Sequence, residues 1–280
     1  MAKKVLIICE GVDKEPKIFA RVKALGFLPQ DVEVVSYGTN IYKLYQCLER
    51  ESQGYEDGWN SLDLQLMLVE RAQTEDEKRI LQDQYTDILL IFDFDPQDSY
   101  FRNHPEEAFR RFNKLLEFFS ESTEHGKLYL SYPMVEALLH VSKHELENAD
   151  WETFLERRFT KEEVRQKTYK RRSAQEGENE VTAYDRAVLV RLIRWHLKKA
   201  FFIASNKDGG ELMNGQEIQC LEKEYEKHVQ SGEDSVVGEK EMQKLLEREY
   251  DVYMNSGAGY VVSTSLFYIA EAYPQCVGLK

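Results

Sequence analysis

The chain has 280 residues, is 42% hydrophobic and 31% charged, and carries a formal net charge of −13. That length can bury a sizeable core in one large or two smaller domains, and the composition is that of a globular, soluble protein. No apolar stretch approaches the ~20 residues that cross a bilayer, and the acidic balance argues against a protein that coats nucleic acid while allowing a locally basic groove.

The opening Met-Ala-Lys-Lys leads straight into a strand over 4–9, without the layout of a signal peptide. Residues 11–14 form a turn, and Glu15-Pro16 opens a helix to about Leu25, proline being tolerated in a first turn. VEVVSYG at 32–38 is a second strand, and 41–51 has helical spacing. A polar loop over 52–63 precedes a charged amphipathic helix over 64–82. DILLIFD at 87–93 is the third strand, followed by a loop over 96–105. Residues 106–120 form a helix with Phe109, Phe112, Leu115, Leu116 and Phe119 on one face. LYLSYP at 128–133 is the fourth strand, and a helix starts near Met134.

This alternation predicts an α/β fold: a small parallel sheet flanked by helices over residues 1–142, with a mainly helical extension, 143–280, packed on it. Within the extension, 143–200 and 211–250 read as helical and highly charged, with a loop at 206–210. SAQEGENE at 173–180 reads as a flexible loop. The closing GYVVSTSLFYIAEAY at 259–273 reads as a short strand running into a helix. Cys9, Cys47, Cys220 and Cys276 show no paired metal spacing and are expected as reduced thiols of a cytoplasmic protein.

The sharpest chemical signal lies at two strand ends. The apolar run from Val5 to Cys9 stops at Glu10-Gly11, and the run from Ile88 to Phe92 stops at Asp93 and Asp95. Continuous apolar runs are strands buried on both faces, and open α/β sheets place their sites just past the carboxyl ends of such strands. Three carboxylates converging there repel one another unless a cation lies among them, and hard oxygen donors suit Mg²⁺ or Mn²⁺. Acids at strand ends are also common as plain solvated residues. A haloacid-dehalogenase phosphatase needs its D-x-D after the first strand, and a receiver domain needs an acidic pair there; neither fits. The phosphate loop G-x-x-x-x-G-K-[ST] is absent.

A basic run from Arg157 to Lys199 holds thirteen basic against six acidic residues, with Tyr169, Tyr184 and Trp195 interleaved. Arg165, Lys167, Lys170, Arg171, Arg172, Arg191 and Arg194 are its candidate phosphate contacts, with Arg171 and Arg172 expected to be solvated beside the 173–180 loop. A solvated helix pair with Leu189, Leu192 and Ile193 facing a core is the plainer reading. Glu136 and His140, spaced i, i+4 on the expected helix, face one side of it and could orient metal ligands from behind.

The E-G after strand one and the D-x-D after strand three together resemble the TOPRIM domain of topoisomerases, primases and overcoming-lysogenization-defect nucleases. CEGVDKEPKIF at 9–19 is similar to the E-G-x-x-x-E-P-x-x-F opening of the RloB-like branch. IFDFDPQD at 91–98 is similar to its acidic strand end, and SYPMVEALLH at 131–140 to its S-x-P-x-x-E segment. The resemblance covers residues 4–145 and departs from the family at Tyr132 and Val135. It implies that Glu10 coordinates metal or manages a proton, that Asp93 and Asp95 bind the metal with Asp98 as an extra ligand, and that Glu15 and Glu136 are branch-specific acids. The function it implies is a Mg²⁺-dependent nuclease acting on DNA or RNA, including transfer RNA, as an effector in prokaryotic anti-phage defence, encoded beside a partner ATPase. The alternative is a non-catalytic subunit that assembles with that ATPase through the acidic site. No membrane partner is expected, and a homo-oligomer is left open.

Overall fold

The computed structural model describes residues 3–148, 151–205, 215–231 and 238–279. The loop expected at 206–210 lies outside them. The protein is α/β, with a mostly parallel central sheet flanked by helices. Its contacts divide it into two compact units. The first comprises residues 1–93 and 103–129, the second residues 94–102 and 130–280. The division therefore falls at 129/130 rather than at 142, and a nine-residue segment between β3 and the next long helix belongs with the second unit.

In the first unit, β1 (Val5–Cys9) is buried at every position. It is followed by α1 (Lys14–Ala24), β2 (Val32–Ser36) and α2 (Ile41–Glu51), the last started by Asn40, whose side chain accepts the Lys43 N–H. The region expected as one helix over 64–82 is two, α3 (Leu64–Val69) and α4 (Glu75–Leu81). The break has a local cause: Thr74 and Glu77 form a reciprocal capping box that begins a new helix. β3 (Asp87–Asp93) follows, and then the chain makes a short helix, α5 (Ser99–Asn103), inside the expected loop. α6 (Pro105–Phe118) buries Ala108, Phe112, Leu115 and Leu116. A short β4 (Ser120–Glu121) pairs antiparallel with the start of β5 (Gly126–Tyr132). The strand order is β2-β1-β3-β5-β4, with β1 parallel to both β2 and β3 in a register that sets Cys9 beside Ser36 and Ile91. That register decides the chemistry, because parallel neighbours present their carboxyl ends on the same edge.

In the second unit, the helix expected from Met134 is a single turn, α7 (Glu136–Leu139). Short helices α8 (Lys143–Asn148) and α9 (Trp151–Glu156) lead to β6 (Arg158–Thr160), then α10 (Lys161–Arg165) and α11 (Tyr169–Glu176). The segment expected as a flexible loop at 173–180 thus begins inside a helix. α12 (Arg186–Ser205), α13 (Gly215–Ser231) and α14 (Glu239–Ser256) are long helices. α14 ends at Gly257 with φ +72, a left-handed cap that glycine adopts without strain. β7 (Ala258–Tyr260) pairs antiparallel with β6, β8 (Val262–Ser263) pairs antiparallel with the end of β5, and α15 (Phe267–Ala272) follows. The closing segment is a strand running into a helix, as its sequence predicts. No helix among the described residues is long and apolar enough to cross a membrane.

Candidate functional site

Because β1 and β3 are parallel neighbours, Glu10 and Asp93 leave the sheet at the same edge. The Glu10 N–H continues the ladder to the Ile91 carbonyl at 3.0 Å, and its carboxylate Oε2 accepts the backbone N–H of Asp93 at 3.2 Å. A side chain bonded to the backbone of its partner strand has little freedom left, so Glu10 is held at the edge from which the Asp93 side chain also departs. Both residues are half-buried.

The Glu10-Gly11 peptide is held from several directions. Gly38 N–H donates to the Glu10 carbonyl at 3.2 Å, and Ser36 Oγ donates to the Gly11 carbonyl at 2.8 Å. Glu15, only 4% exposed, accepts the Gly11 N–H at 3.0 Å through Oε1. A Cβ on Gly11 would meet the Glu15 carboxylate, which would have to move aside for it. Glu15, expected as a branch-specific acid, is thus bound to the backbone next to Glu10. Ser36 and Gly38 were not legible as part of the site; S-Y-G after β2 reads as an ordinary strand exit. Burial, and after it the Glu15 carboxylate, pushes the Cys9 thiol up to about 12, so it is an inert neighbour.

Asp95 and Asp98 belong to the second unit. Asp95 has φ +42, a conformation uncommon outside glycine, and its N–H donates to the Pro133 carbonyl at 3.0 Å. Burial pushes its carboxyl up to about 6; the Gln97 hydrogen bond and the Lys167 ammonium oppose this, and the Asp98 carboxylate adds to it. Asp98 Oδ1 accepts the Tyr100 N–H at 2.6 Å at the start of α5. Lys167 thus acts on Asp95 electrostatically, a relation its place in a basic run did not reveal.

The expected Glu136–His140 arrangement is not a helical i, i+4 pair, since α7 ends at Leu139 and His140 lies beyond it. Glu136 pairs with Lys170 at 2.9 Å. His140 is fully buried, with Nδ1 3.2 Å from Tyr169 Oη and Nε2 2.8 Å from Glu176 Oε2. Burial, with the Arg157, Arg172 and Lys199 cations adding to it, holds His140 down to about 3. Its contact with Glu176 is therefore a neutral imidazole N–H donating to a carboxylate, which leaves Nδ1 to accept from tyrosine. His196, buried and accepting the Ser263 N–H at Nδ1 at 3.0 Å, is likewise held down to about 3 by burial. Both folded pKa values lie below the ordinary 6.5. The stability these groups contribute is thus complete above about pH 6.5 and is lost as pH falls toward 3, where unfolding takes up protons. In a histidine-selective NMR titration from pH 7.5 to 5, these two imidazoles are expected to keep neutral shifts; a mid-range titration of either would overturn that state.

The basic run divides. Arg165, Lys167, Lys170, Arg171, Arg191 and Arg194 are exposed, though Lys170 is paired with Glu136 and Arg191 donates to the Leu146 carbonyl at 2.8 Å. Arg172 is not the solvated residue expected. It binds Glu163 at 2.6 Å, Glu176 at 3.2 Å and the Arg158 carbonyl at 2.6 Å, tying α11 to α10 and β6. Lys199 is fully buried and donates to the Phe154 and Arg157 carbonyls at 2.7 and 2.9 Å. The interleaved aromatics are packing groups: Tyr169 and Tyr184 are fully buried, and Trp195 stacks on Phe154 at 5.8 Å. They form no base-stacking platform.

Among the described residues, no group of three or more His, Cys, Asp or Glu side chains is placed to hold a metal ion. A pair of carboxylates such as Glu10 and Asp93 is enough for the donor chemistry Mg²⁺ uses, since it characteristically takes one or two carboxylates and fills its remaining positions with water and substrate phosphate. No protein-family model, no curated protein and no solved structure matches this chain.

Proposed function

We propose that the protein is a Mg²⁺-dependent nuclease of the TOPRIM type, related to the RloB-like branch and acting as an effector of anti-phage defence. The observation that carries this reading is the Glu10 carboxylate fixed on the Asp93 N–H at the shared carboxyl edge of β1 and β3. In this reading Glu10 and Asp93 face the metal, which when bound would neutralise a phosphodiester and acidify water. Glu10 also stands where a carboxylate can manage a proton at the attacking or leaving oxygen. Glu15 holds the Gly11 N–H and is a positioning residue. The test is incubation of the purified full chain with DNA and with RNA, including transfer RNA, in Mg²⁺, in Mn²⁺ and in EDTA. Cleavage that needs the metal is expected; no cleavage of any substrate, alone or with a partner ATPase, would rule the reading out.

The exposed members of the basic run are proposed to hold phosphates. Arg165→Ala with Arg171→Ala is expected to lower the slope of log binding constant against log salt by about 1.8 on duplex DNA. The same change should alter stability by less than about 0.5 kcal/mol, because both side chains are exposed. Binding across a salt series checks this, and identical slopes would leave the run as a solvated face. Arg172 is left intact in this experiment, because its ion pair to Glu163 ties α11 to α10.

A further inference from the structure

The interior of the second unit holds a carboxyl group that the proposed mechanism does not use. Glu249, on α14, is fully buried. Its Oε2 accepts the Tyr260 N–H of β7 at 3.0 Å, while its Oε1 is sealed from solvent and has no hydrogen-bond partner. Gly259 of β7 is packed so closely on it that an added Cβ would lie 3.0 Å from Oε2.

The groups around it come from four elements. Lys199 of α12 and Arg158 of β6 favour a charge on Glu249, and β7 supplies the Tyr260 N–H. β5 supplies the Tyr132 hydroxyl, which is also fully buried without a hydrogen-bond partner. Lys199 directs its ammonium at the Phe154 and Arg157 carbonyls, at 2.7 and 2.9 Å, rather than at Glu249. Arg158 lays its guanidinium over the Tyr260 ring at 3.5 Å. Taking opposite charges out of water is offset only when they meet in good geometry and their remaining lone pairs and protons are bonded. Lys199 and Glu249 do not meet in this way, and one carboxyl oxygen is bonded to nothing. An uncharged carboxyl group with one unbonded oxygen costs far less than an unpaired buried charge.

We propose that Glu249 is buried as an uncharged carboxylic acid and forms a proton-operated latch between α14 and β7, closed while the proton is held and loosened when it leaves. Hydrating the ionised group requires β7 to move off α14, and β7 is the strand that pairs with β6. The direction follows from linkage. Burial outweighs the Tyr260 N–H and the two cations and pushes the Glu249 carboxyl from the ordinary 4.5 to about 8. The stability supplied by its proton is complete below about pH 4.5 and is lost as pH rises to about 8. Burial also pulls the Lys199 ammonium well below its usual range, which gives a slope of opposite sign, so the two are separated by substitution.

The test begins with an infrared spectrum of the full-length chain at pH 7, with and without carbon-13-labelled glutamate. The carbonyl band of a protonated carboxylic acid is expected. The label should move it, which excludes an aspartic acid such as Asp95, and Glu249→Gln should abolish it. In denaturant unfolding between pH 5.5 and 7.5, the wild-type folding constant should fall about tenfold per pH unit relative to that of Glu249→Gln. Exchange of the Tyr260 amide hydrogen, corrected for its intrinsic pH dependence, should lose protection above pH 8 in the wild type and not in the variant. Absence of the band from the wild type at pH 7 would overturn the proposal whether or not the variant folds. Stability curves that run parallel for the two proteins would overturn it as well, since an ionised Glu249 gives that result. Unchanged Tyr260 protection above pH 8 would overturn the latch.

Discussion

Asp93→Asn is expected to cut metal-dependent cleavage at least about a hundredfold while leaving the fold intact. The floor follows from the finding that losing even an outer partner of a metal ligand costs about 10–100-fold in affinity or activity. The substitution keeps shape and removes only charge. The Asp93 backbone N–H, which Glu10 holds, is untouched, so Glu10 should keep its position. Any loss then reports on the carboxylate itself. Without metal the variant should melt no lower than the wild type, because it removes one of two neighbouring negative charges, whereas with saturating Mg²⁺ only the wild type should gain stability. Single-turnover cleavage and melting curves with and without Mg²⁺ supply both readouts. Full activity at saturating Mg²⁺ would remove Asp93 from the mechanism.

Arg157→Ala should be the most damaging of the predicted changes to stability. The Arg157 guanidinium binds Glu145 at 2.5 Å and the His140 carbonyl at 2.5 Å, with side-chain exposures of only 9% for the arginine and 12% for the glutamate. Removing one partner of a buried pair strands the other charge, at a cost of about 3–5 kcal/mol. Glu145 keeps the Ser142 N–H at 2.7 Å, which places the expected loss near the lower figure, about 3 kcal/mol. Arg157→Lys should fall between, since a point charge can answer Glu145 but cannot fork to the carbonyl as well. Denaturant unfolding of the three proteins measures this. A double variant, Arg157→Ala with Glu145→Gln, should lose less than the sum of the singles, because the second change removes the stranded charge.

What was legible in the sequence had local causes. β1 and β3 announce themselves as unbroken apolar runs, and the acids that end them fall on one edge because parallel pairing leaves no other choice. α2 is bounded by a local cap at Asn40. The misreadings had distant causes. The helix expected from Met134 stops after one turn because groups far along the chain take the backbone carbonyls that would continue it. The Glu178 N–H takes that of Leu139 at 2.8 Å, and Tyr184 Oη takes that of Val141 at 2.6 Å. Gly177 packs so closely there that a Cβ would lie 2.1 Å from the Leu139 carbonyl. Arg172 was misread for a similar reason: Glu163 on the neighbouring α10 and the Arg158 carbonyl of β6 claim it, besides Glu176 one turn on in its own helix, and charge counting along the sequence cannot show the first two. The divided α3 and α4 were a different kind of miss, since the Thr74–Glu77 capping box was written in the sequence and was outweighed by amphipathic spacing.

The interleaving of the two units sets an order of manufacture. A ribosome releases residues 94–102 before anything they bind in the second unit exists. The Phe94 and Asp95 N–H groups wait for the Ser131 and Pro133 carbonyls. Ser131 waits longer still, for Ser263, its hydroxyl partner at 2.9 Å and 132 residues further along. The second unit therefore cannot close until nearly the whole chain has been made, whereas the first can assemble around 103–129 much earlier.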